Sequence, residues 1–161
     1  MSLDALALTA HLPEVDLAPG DIVVREGGTS SSLWILVSGQ LRVLKGDVVV
    51  NTIDHPGAVI GEMSLLLNAR HSATVEATQP TRLRMAANGN ALLDGDPKFA
   101  RYVATGLAER LAYVTTYLAD LRNQYGDAPG LSMVATVLSQ LEQRTGPRAI
   151  SGSARDPDPD Y

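Results

Sequence analysis

The residues best spaced for chemistry are one carboxylate, Glu62 directly after Gly61, and a polar cluster eight to ten positions later, Arg70-His71-Ser72. The stretch between, Glu62 to Leu67, has no strand alternation and reads as about one helical turn. A helix opening near Gly61 to Ser64 turns backbone N–H groups and a positive dipole end toward an anion. A carboxylate is useful beside an anion when it accepts a hydrogen bond from a hydroxyl, as carboxylates do from ribose. Arg70 adds a permanent cation, His71 a donor whose charge depends on pH, and Ser72 a hydroxyl. Such a set fits a sugar phosphate. The same residues also fit an ordinary surface Glu–Arg pair worth little, so spacing alone leaves both readings open. No Ser-His-Asp grouping, metal-ligand spacing or lysine-bearing P-loop occurs, so no catalytic residue, no metal and no enzymatic activity are expected.

These groups need a scaffold, and glycine and proline punctuate the first half at short intervals: Pro19-Gly20, Gly27-Gly28, Gly39, Gly46-Asp47, Pro56-Gly57 and Gly61. Between them lie Ile22-Val24, Leu33-Val37, Leu41-Leu44 and Val48-Ile53, followed by Ala73-Ala77 and Thr81-Met85. Short, evenly spaced strands with turn signals predict an all-β sandwich or barrel, here over roughly residues 18–86. Asp96-Pro97 is a helix start, with Asp as cap and Pro first in the helix, and Gly126 is a stop. Within that span Ala100, Ala104, Leu107, Leu111, Val114, Leu118, Leu121 and Tyr125 recur at spacings of four and three, a heptad seam. A helix of this span is on the order of 40 Å long. Its seam predicts pairing with a second copy, although packing on its own domain would use the same residues. Leu131, Val134, Leu138 and Leu141 share a face of one further helix.

The expected organisation is therefore the β unit, a dimerisation helix at 96–126, an additional helix at 130–146 and a flexible acidic tail at 147–161. Composition narrows function as well. With 13 Lys+Arg against 18 Asp+Glu the net charge is −5, which disfavours a long nucleic-acid partner, whose affinity rests on phosphate neutralisation. The absence of cysteine excludes disulfides and thiolate zinc sites. No apolar run approaches bilayer length and the opening residues do not form a leader, so a soluble, cytoplasmic chain without membrane or DNA partners is expected.

The motifs, in order, resemble a known family. Ile60-Gly61-Glu62-Met63-Ser64-Leu65 and His71-Ser72-Ala73-Thr74-Val75 resemble the phosphate-binding cassette of the cyclic nucleotide-binding domain, shared by the bacterial catabolite activators and the regulatory subunits of protein kinase A. Pro19-Gly20-Asp21 with Glu26-Gly27, and Leu33-Trp34-Ile35-Leu36-Val37-Ser38-Gly39, resemble its early turn and hairpin. The likeness covers roughly residues 3–125 and implies a β unit over residues 1–95 that includes a short N-terminal helix. It implies an antiparallel β-roll (a jelly-roll, or double-stranded β-helix) flanked by helices, mainly β with α, and a long C-terminal dimerisation helix. The implied ligand is cyclic AMP or cyclic GMP, with no obligatory cofactor.

Carried over by position, Gly61 approaches the ligand, Glu62 accepts the ribose hydroxyl, and Met63 and Ser64 offer N–H groups to the phosphate. Ile60, Ser72 and Ala73 complete that lining. His71 occupies the place of the family's phosphate-binding Arg. Arg70, one residue earlier, is the expected substitute. Losing a charge-assisted hydrogen bond costs about 1.5–3 kcal/mol, about ten- to a hundredfold in affinity. Glu109 to Thr116 resembles the helix stretch that meets the base, with Thr115 and Thr116 as candidates. The implied protein is a regulatory sensor that binds cyclic nucleotide, forms a homodimer through residues 97–125 and signals to an effector protein by repositioning that helix. The alternative is a ligand-independent homodimeric interaction module with a degenerate pocket.

Overall fold

The computed structural model describes residues 4–125 and 132–143. It opens with a one-turn helix, α1 (Ala5–Leu8), capped by the Asp4 side chain, and continues into strands β1 (Glu14–Leu17), β2 (Ile22–Val24), β3 (Leu33–Ser38), β4 (Leu41–Lys45), β5 (Val48–Ile53) and β6 (Val59–Ile60). A short helix, α2 (Glu62–Leu66), precedes β7 (Thr74–Ala77) and β8 (Thr81–Ala86). Helices α3 (Gly89–Gly95), α4 (Pro97–Tyr125) and α5 (Ser132–Gln143) follow. The strands form two antiparallel four-stranded sheets, in the orders β1-β8-β3-β6 and β2-β7-β4-β5. This is the antiparallel β-roll with a long helix that the sequence implied.

Alternation explains why the sheets close on one another. Leu36 and Leu83 come from the first sheet and Leu41, Val75 and Ala77 from the second, and all are buried in one core with Val24, Ala58 and Ile60. Trp34 packs against the edge of this cluster. Burying a side chain of Leu or Ile size contributes about 1.5–3 kcal/mol, so this core is the main force holding β6 and β7 at the two ends of α2.

Several boundaries differ from the sequence expectation. The strands begin before residue 18, because β1 pairs residue for residue with β8, from Glu14 opposite Arg84 to Leu17 opposite Thr81. Its charged residues face outward, where Arg82 meets Asp16 at 2.7 Å. Strand β6 has only two residues, too few for a period. Helix α3 starts on a glycine and has no counterpart in the sequence pattern, although Asn88 caps it through the Ala91 N–H. Helix α4 opens where Asp96-Pro97 suggested, with Asp96 Oδ1 accepting from the N–H groups of Lys98 and Phe99 at 3.0 and 3.1 Å.

The chain divides into two compact units, residues 1–105 and 106–161. The first turns of α4 belong to the first unit, where Phe99 and Val103 are buried and the Tyr102 hydroxyl donates to the Gly57 carbonyl at 2.9 Å. The second holds the rest of α4 and helix α5, on which Leu138 is buried and Met133 exposed. The expected tail at 147–161 lies outside the described residues.

Candidate functional site

The site is built on the turn from β6 into α2. Gly61 adopts φ +95° and caps α2 from the left-handed region, which only glycine enters without cost. A Cβ there would also sit 3.0 Å from the Ser32 carbonyl oxygen. Both constraints fix the point where Glu62 begins the helix. Glu62 is the unusual residue of the turn: a carboxylate only 4% exposed, in a class of side chain rarely buried without a polar purpose. Met63 projects into solvent and Ser64 is half-buried. As members of the first turn, Met63 and Ser64 have N–H groups with no acceptor inside the helix.

The segment after α2 returns to this turn. Asn68 takes a positive φ of 48°, and the Ala69 N–H donates to the Ser64 carbonyl at 2.8 Å, so the chain doubles back. The next residue but one, His71, is 7% exposed. Its Nδ1 lies 3.1 Å from Ser64 Oγ, while Ser64 Oγ also donates to the Gly61 carbonyl at 3.0 Å. Nε2 of His71 is buried with no hydrogen-bond partner. Burial pushes the imidazole below its ordinary value of 6.5, favouring the neutral ring.

A lattice of hydrogen bonds holds this loop in place. His71 exchanges two backbone bonds with the β2–β3 loop, Gly27 N–H to the His71 carbonyl at 2.8 Å and His71 N–H to the Gly28 carbonyl at 2.9 Å. Arg70 is exposed and donates from its guanidinium to the Gly27 carbonyl at 2.9 Å. Lys45, the last residue of β4, donates to the Ser72 carbonyl at 2.6 Å and lies 3.5 Å from Glu26. Glu26 accepts from the Gly46 N–H at 2.8 Å, and that bond holds its carboxyl below the usual carboxylate range. The Glu26 N–H donates to Thr74 Oγ1 at 3.0 Å.

Of the residues singled out from sequence, Gly61, Glu62, Ser64 and His71 thus meet around one turn. Ile60 is buried on β6 and belongs to the hydrophobic core. Ser72 is exposed and Ala73 half-buried on the approach to β7. Thr115 is half-buried and Thr116 exposed, both on the part of α4 in the second unit. Sequence reading missed the Ser64–His71 contact and the bracing by Glu26 and Lys45. Only the loop return signalled the first, and contacts 27 residues apart in sequence, such as Lys45 with Ser72, left no local trace.

The fold and the turn define a jelly-roll whose helical insert between β6 and β7 carries a buried carboxylate. A family model described as the cyclic nucleotide-binding domain matches residues 14–105. The chain belongs to the cyclic nucleotide-binding domain family. It is 31% identical over 146 residues to a CRP-like cAMP-activated global transcriptional regulator of Mycobacterium tuberculosis, covering 87% of this chain and 63% of that protein. It is 36% identical over 64 residues to the cAMP-dependent protein kinase type II regulatory subunit of Drosophila melanogaster, covering 40% of this chain and 17% of that one. A solved structure described by the words "A cyclic-GMP-dependent signalling pathway regulates bacterial phytopathogenesis" superposes with a TM-score of 0.59 at 25% identity, covering 70% of this chain and 95% of that one. The chain spans less than two thirds of the length of either curated relative.

Proposed function

We propose that this chain is a cyclic nucleotide-binding regulatory module that takes up cyclic AMP or cyclic GMP at residues 60–73 and carries no catalytic centre of its own. The observation that carries the reading is the Gly61–Glu62 turn, where a glycine in the left-handed region sets a buried carboxylate at the start of α2. In this reading Glu62 accepts the ribose hydroxyl, and Met63 and Ser64 direct their N–H groups at the cyclic phosphate. Ile60, Ser72 and Ala73 shape the lining, and Arg70 stands at its rim as a cation. Output passes through α4 to a protein effector, and two copies pair along the apolar residues of that helix. Family membership and the cAMP- and cGMP-related relatives support the ligand class and leave the base open.

Titration calorimetry with both nucleotides on the wild type and on Glu62→Gln tests the assignment. Loss of a hydrogen bond to a charged group, about 1.5–3 kcal/mol, is expected to weaken binding about ten- to a hundredfold. Equal affinities for the two proteins would contradict the role of Glu62. A second reading, a homodimeric interaction module that takes no nucleotide, is favoured by one feature, a histidine of lowered proton affinity, His71, where the resemblance implies an arginine. Absence of heat with either nucleotide, at pH values on both sides of the imidazole's ordinary range, would select it.

A further inference from the structure

The Ser64–His71 pair has a consequence for charge that depends only on where one hydroxyl proton goes. Ser64 has a single hydroxyl hydrogen and donates it to the Gly61 carbonyl at 3.0 Å. With that hydrogen on the Gly61 carbonyl the oxygen accepts, and the 3.1 Å contact, whose direction follows the ring tautomer, is assigned as a donation from His71 Nδ1–H. A neutral imidazole carries one proton. With that proton on Nδ1, Nε2 presents a bare lone pair, and it is this buried atom that has no partner. A lone pair repels a phosphate oxygen. Nε2 becomes a donor to an anion only after the ring takes up a second proton.

We propose that His71 is a proton-gated clamp: the ligand's phosphate is held by Nε2–H of the imidazolium, so that nucleotide and proton bind together. This rests on the phosphate position beside α2 in the proposed function. The surrounding groups leave the control with His71. On α2 the neighbouring carboxylate is Glu62. The β2–β3 loop carries Arg25 and Glu26, the latter already bonded to Gly46 and beside Lys45. Lys45 reaches the segment only at the Ser72 carbonyl. On His71's own segment Arg70 is turned out to the Gly27 carbonyl. Burial, rather than any of these charges, lowers the proton affinity of the ring without ligand. A phosphodiester arriving at Nε2 supplies the counter-charge that burial denies, and by linkage it must raise the proton affinity of the ring.

Calorimetric titration of the wild type with cyclic AMP and cyclic GMP from pH 8 to pH 5, in buffers of differing ionisation enthalpy, tests the coupling. The expected result is an affinity that tightens about tenfold per pH unit over at least one unit of that range, with uptake approaching one proton per ligand. His71→Arg is expected to bind with little pH dependence and more tightly than wild type at pH 8. His71→Gln is expected to be equally flat but to lack the tightening at low pH. Ser64→Ala, which frees the neutral ring to place its proton on Nε2, is expected to lower the proton uptake. Binding that depends on Glu62 but shows neither pH dependence nor proton uptake would overturn the proton gate and leave the site assignment standing. No binding by wild type or His71→Arg at any pH would overturn both.

Discussion

Two buried polar side chains, Glu62 and His71, are the residues through which this site differs from bare surface. The neutral state of His71 has a cost that appears without ligand. In the unfolded chain the imidazole protonates at its ordinary value of 6.5, whereas in the fold burial depresses it. The unfolded state therefore binds more protons as pH falls through 6.5. Stability from this group is complete above that pH and is lost progressively as pH drops toward the folded value, by at most about 1.4 kcal/mol per pH unit. Urea denaturation of the ligand-free protein at pH 7.5, 6.5 and 5.5 is expected to follow that slope, with His71→Gln flatter in the same window. Identical slopes for the two proteins would contradict a buried neutral imidazole. The carboxyl of Glu26, held low by Gly46, loses its contribution only in more acidic solution. Residue types and spacing made Gly61, Glu62 and His71 legible as candidates. They could not disclose that Arg70 turns outward to Gly27, since side-chain direction at a loop is set by backbone pairing with distant residues.

At the scale of elements, the turns do the positioning. The β3–β4 hairpin illustrates how tightly: Gly39 has φ +100°, and a Cβ there would lie 2.6 Å from Thr81 Cα and 2.7 Å from the Pro80 carbonyl oxygen. Neither obstacle is a flexible side chain. Gly39→Ala is expected to destabilise the domain by about 3 kcal/mol, combining left-handed strain with forced backbone movement. A urea midpoint close to wild type would show that the hairpin yields. The strands flanked by such turns, β2 to β5 with β7 and β8, were readable from their branched apolar runs. Strand β1 escaped because its Glu and Asp alternate with only two apolar residues. β6 has just two residues, and α3 begins with a poor helix former that tertiary context tolerates. The cap at Asp96-Pro97 was legible because capping is local chemistry.

The whole molecule carries a net charge of −5, and the cation Arg70 is a local exception beside the proposed phosphate subsite. No described helix is long and apolar enough to cross a membrane. Along α4, Leu111 is 53% and Val114 46% exposed, apolar residues at the seam spacing that predicts pairing from sequence. Covering them with a second copy is the proposed arrangement. Light scattering is expected to give twice the 17.1 kDa of one chain, falling to one chain mass in the double variant Leu111→Glu, Val114→Glu. A wild type that stays monomeric at high concentration would contradict pairing along this face.

The central claim, that the Gly61–Glu62 turn and the His71 loop hold a cyclic nucleotide, is tested most directly by a crystal structure grown with cyclic AMP below pH 6. The expected result places the ribose hydroxyl on the Glu62 carboxylate and the phosphate against the Met63 and Ser64 N–H groups and His71 Nε2. An empty turn at saturating nucleotide, or a nucleotide bound away from Glu62 and His71, would contradict it.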